Sequence, residues 1–381
     1  MAPNLRTRSR WWAVALFAFA AFVVLIAASA LRPQTPATAE RPSASGERPS
    51  ASAKRPSAAI ATPADLIVLM AASVDQPGSV VRLPADGSTL DLIDTDFDPA
   101  FATTSSGDRI YVASGLDEDG VLTTIDARTG KKIAEVPFTD RWRNTLPAYF
   151  DVLTVSPDDR WLYGLSFQSL GAERDGYYLR IFDVAKGQFL REIVQLSCVG
   201  GLTLPGRGDL VIACPHSGAL LSVSIGAAGD VGLIGSTEIS QSGIAGAARL
   251  PGSQGTLVLT KEGNVVRVDR KGVNLLFKTT GTLPPAFDGL DVSPDGKTIY
   301  VARGTTSRGM IGSIKAYDIA GKQLASSNLD EAAWTMSISK DGRYVLLPAH
   351  GAGAILMLDA NTLQTVDQIE AGGAPVQVIE P

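Results

Sequence analysis

The stretch Val292-Ser-Pro-Asp-Gly-Lys-Thr-Ile-Tyr-Val301 decides the fold, because it recurs along the chain. Ser-Pro-Asp-Gly is a tight-turn signal, and apolar residues alternate on both sides of it. Related turns stand in Ser337-Ile-Ser-Lys-Asp-Gly-Arg-Tyr-Val-Leu-Leu347, Val155-Ser-Pro-Asp-Asp-Arg-Trp-Leu-Tyr-Gly-Leu165 and Thr103-Thr-Ser-Ser-Gly-Asp-Arg-Ile-Tyr-Val-Ala113. Weaker copies begin at Leu204 and Leu250. With Gly107, Asp158, Arg207, Ser253, Asp295 and Asp341 as markers, the spacings are 51, 49, 46, 42 and 46 residues. A period near 45 made of short strands, with no helical stretch inside it, is the pattern of β-propeller blades.

Seven blades of four antiparallel strands can be laid out. They run from Asp65 to Asp94, Asp98 to Phe138, Phe150 to Leu196, Ser197 to Thr237, Ala245 to Thr280, Phe287 to Asn328 and Ala333 to Glu370. The first lacks an inner strand, while Ala374-Pro-Val-Gln-Val-Ile-Glu380 is a spare one at the other end of the chain. Pairing the two closes a ring and removes two exposed sheet edges. The fold expected is therefore all-β, a seven-bladed propeller over residues 64–381. Asp126, Asp183, Asp318 and Asp359 each end a third strand ahead of a hairpin, where they are expected to accept backbone N–H groups.

The 381 residues are 45% hydrophobic and 19% charged, enough apolar surface for a large core. Charge is divided unevenly. Residues 1–62 hold eight basic and two acidic side chains, and the remainder holds 26 basic and 37 acidic. An acidic propeller is a poor electrostatic partner for nucleic acid, which excludes that class.

Arg6, Arg8 and Arg10 precede Trp11–Ala30, twenty residues without a charge. Basic residues before an apolar span stay in the cytoplasm and direct the downstream chain across a membrane. Ala28-Ser29-Ala30 fits a cleavage site, making residues 1–30 a signal peptide. The length of the apolar span matches a hydrocarbon core of ~30 Å and favours an uncleaved, helical signal anchor. Both readings place the propeller outside the cytoplasm. Residues 31–63 carry the repeat Arg41-Pro-Ser-Ala-Ser-Gly-Glu47, Arg48-Pro-Ser-Ala-Ser-Ala-Lys54, Arg55-Pro-Ser-Ala, a solvated linker too polar for a coiled coil.

Cys198 and Cys214 are the only cysteines, an even pair within one blade of an exported domain, and read as a disulfide. Cys198 is placed at the opening of the fourth inner strand and Cys214 at the end of the next. The run from Cys198-Val-Gly-Gly-Leu-Thr-Leu-Pro-Gly-Arg-Gly-Asp-Leu-Val-Ile-Ala-Cys214 through Ser217-Gly-Ala-Leu-Leu-Ser-Val-Ser-Ile-Gly226 to Gly229-Asp-Val-Gly232 resembles the heavy subunit of quinoprotein amine dehydrogenases. Gly372-Gly-Ala-Pro-Val-Gln-Val-Ile379 is similar to that subunit's closing strand. The resemblance implies a scaffold subunit. The cofactor, a tryptophan-derived quinone, would sit on a separate small catalytic subunit and not in this chain. The anchor and linker depart from that family's soluble periplasmic subunits. Ile299-Tyr-Val-Ala302 equally resembles the YVTN class of exported propellers, which implies a lactonase-like hydrolase, or a surface adhesion or sensing module, as alternatives.

Motifs for chemistry are sparse. Two histidines, His216 and His350, cannot make a three-histidine zinc site, and no metal site is expected. Asp117-Glu118-Asp119-Gly120 lacks the spacing of a full calcium loop and reads as an acidic hairpin tip. No nucleophile elbow occurs, and no catalytic residue is assigned. Candidate binding residues instead gather in the loops of one propeller face, which join an outer strand to the next inner strand or the second strand to the third. They are Arg141, Trp142, Arg143, Tyr149, Arg303, Trp334 and His350, with Gln168, Arg174 and Arg308 nearby. Arg suits carboxylate or phosphate ligands and Trp suits partner proteins. Arg143, Arg303 and Trp334 are expected to be exposed or to line the channel.

Overall fold

The computed structural model describes residues 65–71, 78–84, 90–95, 100–103, 106–114, 121–137, 149–168, 176–190, 194–196, 198, 202–206, 209–226, 230–253, 255–281, 285–304, 310–333 and 335–380. The chain folds as an all-β, seven-bladed propeller of antiparallel blades. Strands are lettered A to D from the axis outward. Blade one is built from β1 (Asp65–Met70), β2 (Gly78–Pro84) and β3 (Leu90–Thr95), and blade two from β4 (Ala100–Thr103), β5 (Arg109–Ser114), β6 (Val121–Asp126) and β7 (Lys132–Pro137). Blade three comprises β8 (Tyr149–Val155), β9 (Trp161–Gln168), β10 (Gly176–Asp183) and an outer strand in two pieces, β11 (Gln188–Phe189) and β12 (Val194–Leu196). Blade four holds β13 (Leu202–Pro205), β14 (Asp209–Cys214), β15 (Ala219–Ile225) and β16 (Val231–Glu238). Blade five holds β17 (Ile244–Arg249), β18 (Thr256–Thr260), β19 (Asn264–Asp269) and β20 (Gly272–Lys278). Blade six holds β21 (Pro285–Val292), β22 (Thr298–Gly304), β23 (Ile311–Asp318) and β24 (Gln323–Ala333). Blade seven holds β25 (Ser337–Ile338), β26 (Tyr344–Ala349), β27 (Ala354–Asp359) and β28 (Thr365–Glu370).

The last strand, β29 (Pro375–Ile379), is the inner strand of blade one. It pairs antiparallel with β1, setting Ile67 opposite Ile379 and Val68 opposite Val378. Blade seven holds it from the other side. Thr335 Oγ1 donates to the Val376 carbonyl at 3.0 Å, Ser337 Oγ donates to the Val378 carbonyl at 3.1 Å, and Lys340 N donates to Glu380 at 2.6 Å.

The repeated turn forms a common local structure. Ser156, Ser293 and Ser339 hydroxyls donate to Asp158, Asp295 and Asp341 at 2.6–2.7 Å. The same hydroxyls accept the first N–H of the second strand, from Trp161, Thr298 and Tyr344. Gly296 and Gly342 take φ 72°, and Asp159 stands at the matching place with φ 54°, a region that Asp tolerates better than most residues. At the far end of the third strands, Asp126, Asp183, Asp318 and Asp359 accept backbone N–H groups at 2.7–3.0 Å, as expected.

Packing explains why the second strands are apolar on both faces. Ile299 and Val301 face blade five, whereas Tyr300 and Ala302 face blade seven. Ile110 and Val112 likewise face blade one, and Tyr111 and Ala113 face blade three. Seven apolar clusters of buried residues result, one at each blade-to-blade interface. Polar ties reinforce them. Arg82 of blade one pairs with Asp65 and donates to the Ala127 and Arg128 carbonyls of blade two. Tyr300 donates to the Ala360 carbonyl of blade seven at 3.2 Å.

Cys198 and Cys214 form a disulfide with Cα atoms 5.2 Å apart, both buried in the cluster between blades three and four. One expectation is corrected. Cys198 lies ahead of inner strand β13, on the crossing from blade three. The bridge therefore pins that crossing to β14. Among the described residues, no helix is long and apolar enough to cross a membrane. The apolar segment Trp11–Ala30 and the Arg-Pro-Ser linker lie outside the described residues.

Candidate functional site

Strand direction sorts the loops into two faces. The Ser-Asp turns and the third-to-fourth-strand hairpins share one face, and the D–A crossings and B–C loops share the other, called here the loop face. Both histidines fall on the loop face: His216 in the turn from β14 to β15, and His350 in the 3-10 turn His350–Ala352 that joins β26 to β27. Both are exposed.

The junction of blades five and six is the best-defined part of this face. Arg303, at the end of β22, is 5% exposed, and its Nη2 donates to Thr279 Oγ1 on the crossing into blade six. Burial lowers the guanidinium's proton affinity, the nearby Tyr317 raises it, and an arginine keeps its charge through shifts of this kind. Thr279 Oγ1 donates in turn to the Gly263 carbonyl at 2.9 Å. Gly263 sits at φ 84°, and a Cβ there would lie 2.7 Å from Thr279 Oγ1, so a side chain would expel the hydroxyl that Arg303 uses. Lys315, from the third strand of the same blade, reaches the neighbouring residue, with Nζ 2.8 Å from the Thr280 carbonyl and 3.2 Å from its hydroxyl. Two cations thus grip one short crossing.

Next to this crossing, the B–C loop of blade five presents Lys261 and Glu262, both exposed. Ser240, on the crossing into blade five, donates to both Glu262 oxygens at 3.2–3.3 Å and lies 2.9 Å from the Ser242 hydroxyl. The Thr260 hydroxyl first, then the residue's own N–H, Ser240 and the charge of Lys278, hold the Glu262 carboxyl below its ordinary range, against a smaller loss of hydration. Among the described residues, no three His, Cys, Asp or Glu side chains converge as a metal-binding set.

Inner strand β21 is also irregular. Pro285 pairs with Arg303, but the next register partner is Leu290 with Val301, so residues 286–289 bulge out of the sheet. Gly246 of blade five makes room for this bulge, since a Cβ there would lie 2.8 Å from Leu290 N. Bulges of this kind are frequent beside binding sites, where they re-aim the chain. Towards the other end of β21, Asp291 is half-buried as a residue, and the surrounding blades shield its carboxyl from bulk water. Its carboxylate accepts the Val292 N–H at 2.7 Å and the Ile338 N–H of the next inner strand, yet burial pushes its pKa up to about 6.

The residues expected from sequence fare unevenly. Arg303 and His350 do share the loop face; of the two places expected for Arg303, exposed or lining the channel, the first does not hold, since it is buried under the crossing at Thr279. Tyr149 opens β8 and Gln168 ends β9. Arg141, Trp142, Arg143, Arg174, Arg308 and Trp334, and the acidic tip at Asp117–Gly120, lie outside the described residues. The sequence reading missed Lys261, Glu262, Lys278, Lys315 and Asp291. Asp291 had a legible signal. It stands two residues before the turn serine, where Thr154 and Ser337 stand in other blades, on the polar phase of an inner strand.

The fold and its ring closure define a seven-bladed propeller of a widely used architecture. No family model matches the chain, and no curated protein sequence matches it. Solved structures do match. A candidate 6-phosphogluconolactonase from Bacteroides uniformis is 14% identical, covering 83% of this chain and 98% of its own, with a TM-score of 0.63. The periplasmic gluconolactonase PpgL of Pseudomonas aeruginosa is 15% identical, with 83% and 98% coverage and a TM-score of 0.61. The dihydro-heme d1 dehydrogenase NirN is 19% identical, covering 83% of this chain and 66% of its own, with a TM-score of 0.55. At these identities the likeness shows the fold alone.

Proposed function

We propose that this chain is an extracytoplasmic propeller that binds and hydrolyses a small anionic lactone, of the sugar-acid type, on its loop face. The observation that carries the reading is the cation pair Arg303 and Lys315 at the blade five–six crossing, in a fold shared along nearly its full length with lactonase-type propellers. Opening a lactone needs a water, a group to take its proton, and positive charge where the carbonyl oxygen becomes an oxyanion. The loop face offers the cations and both imidazoles, His216 and His350. The buried disulfide supports an oxidising compartment. The purified full-length chain, assayed with 6-phosphogluconolactone, which is anionic, and with neutral gluconolactone for comparison, is expected to exceed the spontaneous rate on the first. A rate equal to the buffer blank for both sinks the hydrolase.

The second reading, a scaffold subunit resembling the amine dehydrogenase heavy subunit, is favoured by one observation. The Cys198–Cys214 bridge is formed in the blade where the resemblance was strongest. It expects a small quinone-bearing chain to co-purify from the native host.

A further inference from the structure

We infer that the loop face carries an anion subsite at the junction of blades four, five and six, made by Lys261, Lys278, Lys315 and Arg303 with the Ser240 and Ser242 hydroxyls, which takes the carboxylate or phosphate group of a small ligand. The inference deepens the lactone reading and rests on it for the class of ligand.

Charge is the first argument. Residues 63–381 carry 26 basic and 37 acidic side chains, so the propeller as a whole repels anions. At this junction the balance reverses among the described side chains, where four cations set on the loops and crossings of blades five and six surround the Glu262 carboxylate. An isolated positive region on a negative molecule concentrates anions locally and guides them there.

Geometry is the second. Arg303 and Lys315 hold the Thr279–Gly281 crossing from the blade six side, and Arg303 Nε lies 3.4 Å from the place a Cβ on Gly281 would take. The Lys261 ammonium lies 3.1 Å from the corresponding position on Gly243, so it lies over the crossing into blade five. Lys278, opposite Asn264 at the end of β20, is close enough to act on the Glu262 carboxyl. Lys261 and Lys278 are exposed, so they are the cations a ligand meets first. Ser240 and Ser242 add hydroxyl donors beside them. Glu262 already accepts from Ser240, and so competes with any incoming anion for the same donors.

The test is calorimetric titration of the full-length chain with gluconate and with 6-phosphogluconate, the hydrolysis products of the two lactones. The wild type is expected to bind at least one. Binding of 6-phosphogluconate alone assigns a phosphate subsite, and comparable binding of both assigns a carboxylate subsite. The double variant Lys261→Ala/Lys278→Ala, both positions exposed, should weaken binding about tenfold or more, and Glu262→Gln should tighten it. No binding by the wild type, or unchanged affinity in the double variant, overturns the subsite. The two readings fail separately. Lysine-dependent binding without wild-type turnover leaves the subsite and removes the hydrolase, whereas turnover with unchanged KM in the double variant does the reverse.

Discussion

Asp291 holds a proton at a higher pH than an exposed aspartate, because burial outweighs the two N–H groups that favour its charged form. Its pKa is about 6 in the fold against 3.8 without the protein around it. The native state thus binds this proton more tightly than the unfolded chain. The stabilisation it lends is complete below about pH 4 and is lost as pH rises through about 6. Asp291→Asn keeps an oxygen to accept an N–H and removes the titration. Its Tm should match the wild type near pH 4 and exceed it at pH 7–8, as followed by thermal melts across that range. Parallel Tm curves for the two proteins would remove Asp291 from the account. Arg303 calls for a different experiment. Because it is buried and hydrogen-bonded to Thr279, Arg303→Ala should lower the Tm by an amount matching a loss of about 1–3 kcal/mol. An unchanged Tm would return it to the exposed class that the sequence suggested. Its burial was not legible for a physical reason: an arginine near the end of a second strand looks the same in sequence whether the next crossing covers it or not.

At the scale of strands, most of the fold was legible, because a propeller blade writes its own punctuation. The Ser-Asp turn marks the inner hairpin, the terminal Asp marks the outer one, and Ile-Tyr-Val-Ala marks a strand buried on both faces. The alternation inside that run even encodes which neighbouring blade each side chain meets. The spare Pro375–Ile379 segment read as a closing strand and is one. Deleting Pro375–Pro381 exposes the edge of β1, uncovers the side of blade seven packed on β29 and strips Ser337 and Thr335 of their partners. The truncated protein should aggregate or melt far below the full chain, as measured by size-exclusion chromatography and calorimetry. A monomer with unchanged Tm would mean the ring does not need its clasp. The site was less legible than the strands. Lys261, Lys278 and Lys315 come from a loop, a strand end and the middle of a strand with no common motif, and only the packing of blade five against blade six brings them together.

For the whole molecule, the seven interface clusters make the ring stable as a set of neighbours, each blade buried on two sides. The disulfide adds to one of these interfaces and carries the clearest statement about compartment. Protein isolated from its own host should yield the Cys198 and Cys214 peptides linked when digested without reductant, and two free thiols would contradict export. Cys198→Ser should cost roughly 3 kcal/mol on the loop-entropy estimate and leave the ring closed.

The pairing of β1 with β29 also sets the order of events as the chain folds. The first strand of the propeller waits for a partner encoded some 300 residues later. Until that strand arrives, blade one has no inner strand and the ring stays open. A message truncated late yields seven nearly finished blades and no finished protein.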